Sequence, residues 1–110
     1  MNNVISLPVY RTVKKLAKES KFWRAILKEA NKPRRVVNVY KLNKYTKDGE
    51  VVFVPGKLLG FGNIDHPVTV SAFSLSKSAY EKVIEAGGTV LSMEDFIKNY
   101  PSGRGVKIIG

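Results

Sequence analysis

The feature that most restricts the fold of this chain is the spacing of apolar residues near its start, at Val9, Val13, Leu16, Trp23, Leu27 and Ala30, with Ser20 in the remaining slot. Steps of four and three alternate, which is the stripe of an α-helix that turns one face to a core. Pro8 and Pro33 bracket the segment, because proline lacks the amide a helix interior needs but fits its first turn. The stripe fits one amphipathic helix or two helices broken near Ser20. Serine is a favoured N-cap, and Glu19-Ser20-Lys21 interrupts the apolar face.

After Pro33 the rhythm changes. Val36 to Val39 reads as a strand or a docking segment, and Val39, Leu42 and Tyr45 at spacing three suggest a turn or two of helix before the turn signal Lys47-Asp48-Gly49. Residues 51–54 form a short buried strand closed by Pro55-Gly56, and residues 68–73 form a second β-rich run. Ser76 or Ser78 caps a helix with Ala79, Val83 and Ala86 on one face, stopped by Gly87-Gly88. Residues 89–91 are a third strand. Ser92 opens a last helix with Glu94 and Asp95 in its first turn, and Pro101-Ser102-Gly103 ends it before a possible strand at 106–109. The expectation is an α/β fold, a compact mixed α/β body preceded by a basic helical N-terminal segment. Three layers or a half-covered mixed sheet both satisfy it. At 110 residues a single domain is expected over 1–110, with residues 1–35 as the basic segment and 36–110 as the body.

Charge is distributed unevenly over that plan. Through Lys47 there are thirteen Lys and Arg against Glu19 and Glu29, a net of +11; the remainder carries six against seven acidic residues, a net of −1. Such a footprint suits docking on a polyanion. If the segment is one helix, Arg11, Lys14, Lys18, Lys21, Arg24 or Lys28, and Lys32 share a face of roughly 30 Å at about 1.5 Å per residue. Like charges at that spacing repel, so a merely solvated face would mix signs more than this one does. We therefore expect Arg11, Lys14, Lys15, Lys18, Lys21, Arg24 and Lys28 to bind phosphates, and Arg34, Arg35, Lys41 and Lys44 to extend the surface through arginine forks and further lysines. An anionic membrane surface is the weaker partner, because the opposite face is needed by the core.

The glycines of Gly56-Lys57-Leu58-Leu59-Gly60-Phe61-Gly62 could let backbone approach an RNA phosphate, or could serve a structural turn. Leu58 directly after Gly56-Lys57 breaks the mononucleotide pattern, which needs Ser or Thr there. Asp65-His66 holds the one histidine and reads as an ordinary loop residue, since no cysteine exists and no nucleophile or second ligand converges on it. Neither a catalytic group, nor a metal, nor a cofactor is expected, and no small-molecule substrate. Phe22, Trp23, Phe53, Phe61, Phe73, Tyr80 and Phe96 read mostly as core. Tyr10, Tyr40 and Tyr45, each close to basic residues, are candidates for stacking on unpaired RNA bases. With 44% hydrophobic residues the chain should fold, and it has no apolar run near the roughly 18 to 20 residues that cross a bilayer, nor a basic leader before one. A cytosolic location is expected.

Several strings in order, Phe22-Trp-Arg-Ala-Ile26, Lys32-Pro-Arg-Arg-Val-Val-Asn-Val39, Val54-Pro-Gly-Lys-Leu-Leu-Gly60, Asp65-His66, Val68-Thr-Val-Ser-Ala-Phe-Ser74 and Ala86-Gly-Gly88, resemble the archaeal and eukaryotic large-subunit ribosomal protein eighteen family. That family shares its fold with bacterial large-subunit protein fifteen. The resemblance runs from about Thr12 to Ile109, and the short length is similar to archaeal members. It implies a non-enzymatic structural constituent of the large ribosomal subunit, in contact with ribosomal RNA and neighbouring subunit proteins. RNA contact is implied for Lys32, Arg34, Arg35, Lys41, Lys57, Gly56, Gly60 and Gly62. Pro67 departs from the pattern, which has a basic residue there. Two other classes, a DNA-coating architectural protein and a small nucleotide-dependent enzyme, remain as alternatives. The first predicts equal binding to duplex DNA, the second saturable nucleotide turnover.

Overall fold

Two serines decide where the N-terminal helices begin. The structure, a computed structural model, describes residues 5–33 and 35–110. Helix α1 (Leu7–Leu16) starts at Ser6, whose Oγ accepts from the Val9 amide at 3.4 Å, with Pro8 in the first turn. Helix α2 (Lys21–Ala30) starts at Ser20, whose Oγ accepts from the Trp23 amide at 3.2 Å. Of the two readings open at this point, the break at Ser20 is the one observed, since a capping serine satisfies amides that a new helix leaves without partners. The Ser20 hydroxyl also donates to the Ser102 carbonyl at 3.0 Å, so the break is fastened to the far end of the chain.

Then follow β1 (Val36–Asn38), α3 (Val39–Tyr45), β2 (Val51–Leu59), β3 (Thr69–Leu75), α4 (Lys77–Glu85), β4 (Thr89–Val90), α5 (Met93–Asn99) and β5 (Val106–Ile108). Ser76 and Ser92 cap α4 and α5 through the Ala79 and Asp95 amides, and Gly87, with φ of +87°, ends α4 in the left-handed region that glycine enters freely. Among the described residues the five strands form one sheet, and all its pairings are parallel. Strand β2 is its axis. One edge pairs with β3; the other pairs with β5 over Val51–Phe53 and with β1 over Lys57–Leu59.

The strand expected to close at Pro55-Gly56 therefore continues to Leu59. Pro55 has no amide to contribute, and it lies where the partner on that edge changes from β5 to β1. The register with β3 also shifts between Val54 and Lys57, so the interruption is absorbed as an irregularity.

Alternation along β2 and β3 fills both faces of the sheet. Val52, Val54, Val70 and Ala72 join Val39 and Leu42 of α3 and Ala79 and Val83 of α4 in one core. Phe53 and Phe73, one residue out of phase, join Val9 and Val13 of α1, Trp23 and Ile26 of α2 and Phe96 of α5 in the other. The second core is aromatic: the Phe53 ring centroid lies 5.3 Å from Phe96, 5.6 Å from Phe73 and 6.2 Å from Trp23. Three layers result, and the half-covered sheet is not what forms. The two basic helices, together with α5, supply one of those layers, held partly by the Trp23 indole N–H donating to the Tyr100 carbonyl at 3.2 Å.

Candidate nucleic-acid interface

Burying Val9 and Val13 of α1 and Trp23 and Ile26 of α2 leaves the lysines and arginines of both helices facing solvent. Among the described residues Arg11, Lys14, Lys15, Lys18, Lys21 and Lys28 make no ion pair with any carboxylate. Their charge is unneutralised within the fold, as a phosphate-binding surface requires. The single 30 Å stripe expected for one long helix is not formed, because the helix stops at Leu16. Instead two rows, each about 15 Å long, meet at the turn through Ala17–Ser20.

Arg24 fixes that turn. Its Nε donates to the Ala17 carbonyl at 3.1 Å and its Nη2 to the Lys18 carbonyl at 3.4 Å, so a cation meets the carbonyl end of α1. Sequence spacing alone ranks Arg24 with the other phosphate ligands; the structure gives its guanidinium this additional intramolecular role.

The basic linker behaves differently from the helices. Lys32 Nζ lies 3.3 Å and Arg35 Nε 3.4 Å from the Glu29 carboxylate, so two expected RNA ligands share one internal counter-ion. Arg34, expected beside them, lies outside the described residues. Lys41 and Lys57 are half-buried, while Lys44 is exposed with its ammonium 5.4 Å from the Tyr45 ring centroid. The Lys57 amide donates to the Arg35 carbonyl at 2.8 Å, which ties the linker to the sheet.

What occupies the space beside the three expected glycines is protein. A Cβ at Gly56 would meet the Arg35 carbonyl, one at Gly60 would meet Ser78, and one at Gly62, whose φ is +93°, would meet Tyr40. Close approach within the fold is thus one reason for glycine at all three positions. The histidine is likewise a fastener of its loop. Its Nε2 is 2.7 Å from Thr46 Oγ1 and its Nδ1 is 3.0 Å from Asp65 Oδ1, while the Thr46 hydroxyl donates to the Leu42 carbonyl at 2.6 Å. Among the described residues no three His, Cys, Asp or Glu side chains gather as a metal site needs.

The aromatics divide less simply than sequence suggests. Trp23, Phe53, Phe73 and Phe96 are buried, but Phe61 is 74% exposed and Tyr80 is also exposed. Phe61 follows the end of β2 between Gly60 and Gly62, where no helix or strand face directs it inward. An aromatic set between two glycines was the available signal. Of the tyrosines, Tyr40 and Tyr45 are about half exposed, and Tyr10 is partly buried with its hydroxyl donating to Asn31 at 3.4 Å.

Residues 20–91 match the family comprising ribosomal proteins 50S-L15, 50S-L18e and 60S-L27A. The chain belongs to that family. It is similar over most of its length to proteins named large ribosomal subunit protein eL18. The one from Sulfurisphaera tokodaii is 43% identical over 108 residues, covering 94% of this chain and 92% of the relative. Those from Pyrobaculum aerophilum and Archaeoglobus fulgidus are 45% identical over 96 residues and 44% over 94, covering 84% and 83% of this chain and 79% and 80% of the relatives. The resemblance carried by the strings from Phe22 to Gly88 is thus established. In this member of the L15, L18e and L27A family, the matched stretch begins at the Ser20 cap and ends just past β4, taking in α2, the basic linker and the glycine segment. Among the described residues no helix is long and apolar enough to cross a membrane.

Proposed function

We propose that this chain is a non-catalytic structural constituent of the large ribosomal subunit, binding ribosomal RNA through its basic residues and stabilising the folded subunit. The observation that carries the reading is the unneutralised cationic surface of α1 and α2, set on the fold of a ribosomal protein family. Arg11, Lys14, Lys15, Lys18, Lys21 and Lys28 screen phosphate repulsion directly, with Arg24 also bracing the turn between the helices. Lys32 and Arg35 exchange their shared Glu29 for phosphate oxygens, and Arg34, Lys41, Lys44 and Lys57 extend the contact. Neighbouring subunit proteins are the other partners, and the ribosome sets the cellular location.

A tagged copy followed through sucrose gradients tests this. Co-sedimentation with the large subunit at moderate salt, weakening at high salt, is expected from counterion release. Recovery on chromosomal DNA, or in the free pool at moderate salt, overturns the reading.

A further inference from the structure

The most exposed large hydrophobic side chain of the described residues is also among the most firmly presented. Phe61 is 74% exposed, yet its backbone is fastened on every side. Its amide donates to Asn38 Oδ1 at 3.3 Å, and its carbonyl accepts from the Tyr40 amide at 3.2 Å. The half-buried Lys82 ammonium donates to the Gly60 carbonyl at 2.7 Å and to the Gly62 carbonyl at 2.6 Å, one on either side of Phe61. Gly62 adds a left-handed turn seated on Tyr40. A loop free to bury its aromatic would not be pinned in this way.

Phe61 is held against a second exposed ring. The Tyr40 and Phe61 centroids are 6.1 Å apart and the ring planes stand at 90°, forming an open right-angled corner. Tyr40 is 51% exposed, so a flat group can lie on one ring with its edge against the other. The electrostatics select the kind of flat group. Tyr40 lies in α3, which has no Asp or Glu and whose Lys41 and Lys44 make no ion pair among the described residues. An aromatic corner with one ring on that basic helix suits a base attached to phosphates better than an apolar side chain of another protein.

We infer that Phe61 and Tyr40 form a stacking site for one unpaired nucleobase of the RNA, with Lys82 and Asn38 as positioning residues for the loop that presents it. The inference rests on the ribosomal reading above and adds to it a contact that is π-stacked and not ionic.

The test places a benzophenone-bearing amino acid at position 61 of the full chain and irradiates purified large subunits. A nuclease-sensitive product carrying nucleotide mass at position 61 is the expected result. A product with another subunit protein, or no product from subunits that contain the chain, overturns the inference. Absence of the unmodified parent chain from the subunit instead overturns the ribosomal reading, and the site with it. As a second measure, Phe61→Ala and Phe61→Leu are compared for affinity to protein-free large-subunit RNA. Stacking predicts binding roughly 5- to 150-fold weaker for alanine, with leucine recovering little of it. Leucine equal to phenylalanine overturns the stacking role, since leucine keeps the apolar bulk and removes only the π face.

Discussion

Replacing Lys82 with methionine removes the ammonium that bridges the Gly60 and Gly62 carbonyls while keeping a side chain of similar length and helix propensity in α4. Two contacts are lost, at 2.7 and 2.6 Å, both to a charged donor. Hydrogen bonds of that kind contribute about 1.5 to 3 kcal/mol each. Both are only part-buried, so water replaces some of what is lost, and a net cost of about 2 kcal/mol for the pair is the working figure. For a chain of this size that corresponds to a fall in Tm of about 8 °C. Thermal and urea unfolding measure it, with an unchanged urea slope showing that the folded state remains as compact. Hydrogen exchange at the Phe61 amide should accelerate as well, because the loop loses two of its fastenings while Asn38 still accepts from it. Phe61→Ala is the internal control: its ring is mostly in solvent, so its stability should stay within about 0.5 kcal/mol of the parent. A Lys82→Met protein as stable as the parent, with unaltered exchange at Phe61, would refute the view that this lysine holds the loop.

Gly62→Ala should destabilise by at least about 1 to 2 kcal/mol from the left-handed backbone alone, and by more because Tyr40 fills the space for a Cβ, which urea unfolding will register. Changing Lys14, Lys15, Lys18 and Lys21 together to glutamine should leave stability nearly unchanged, as all four are exposed and without ion pairs. In filter binding to large-subunit RNA the same variant should flatten the log-affinity against log-salt slope by about 3; an unaltered slope removes these lysines from the interface. Glu50 is held below the usual carboxylate range, first by accepting from the Lys47 amide and then by the Lys107 ammonium. A carboxylate lowered by folding stabilises at pH above its unfolded value and loses that contribution as pH falls through its folded value. Glu50→Gln should therefore lower the urea midpoint at neutral pH and converge with the parent in acid; a difference that persists undiminished at low pH contradicts the assignment.

The elements that could be read from sequence are those whose signal is local. Ser20 ahead of Trp23, Ser76 ahead of Ala79 and Ser92 ahead of Asp95 mark helix starts because a side-chain oxygen satisfies an amide only three residues away. The stripe from Val9 to Ala30, the short β runs and the concentration of charge before Lys47 are likewise properties of neighbours along the chain, and together with the family resemblance they pointed to the α/β class and to a polyanion as the expected partner. The sites that could not be read depend on groups far apart in sequence. That β2 runs through Pro55 was decided by β5 and β1 sharing one of its edges, pairings that join residues 55 and 21 positions apart. That Arg24 braces α1, that Glu29 holds Lys32 and Arg35, and that Gly60 and Gly62 are carbonyl acceptors for Lys82 follow from side-chain directions fixed only once the layers pack. Phe61 shows the difference most plainly. Sequence supplied an aromatic between two glycines, but only the tertiary structure could turn it outward, because what keeps it from the core is a lysine 21 positions later and an asparagine 23 positions earlier.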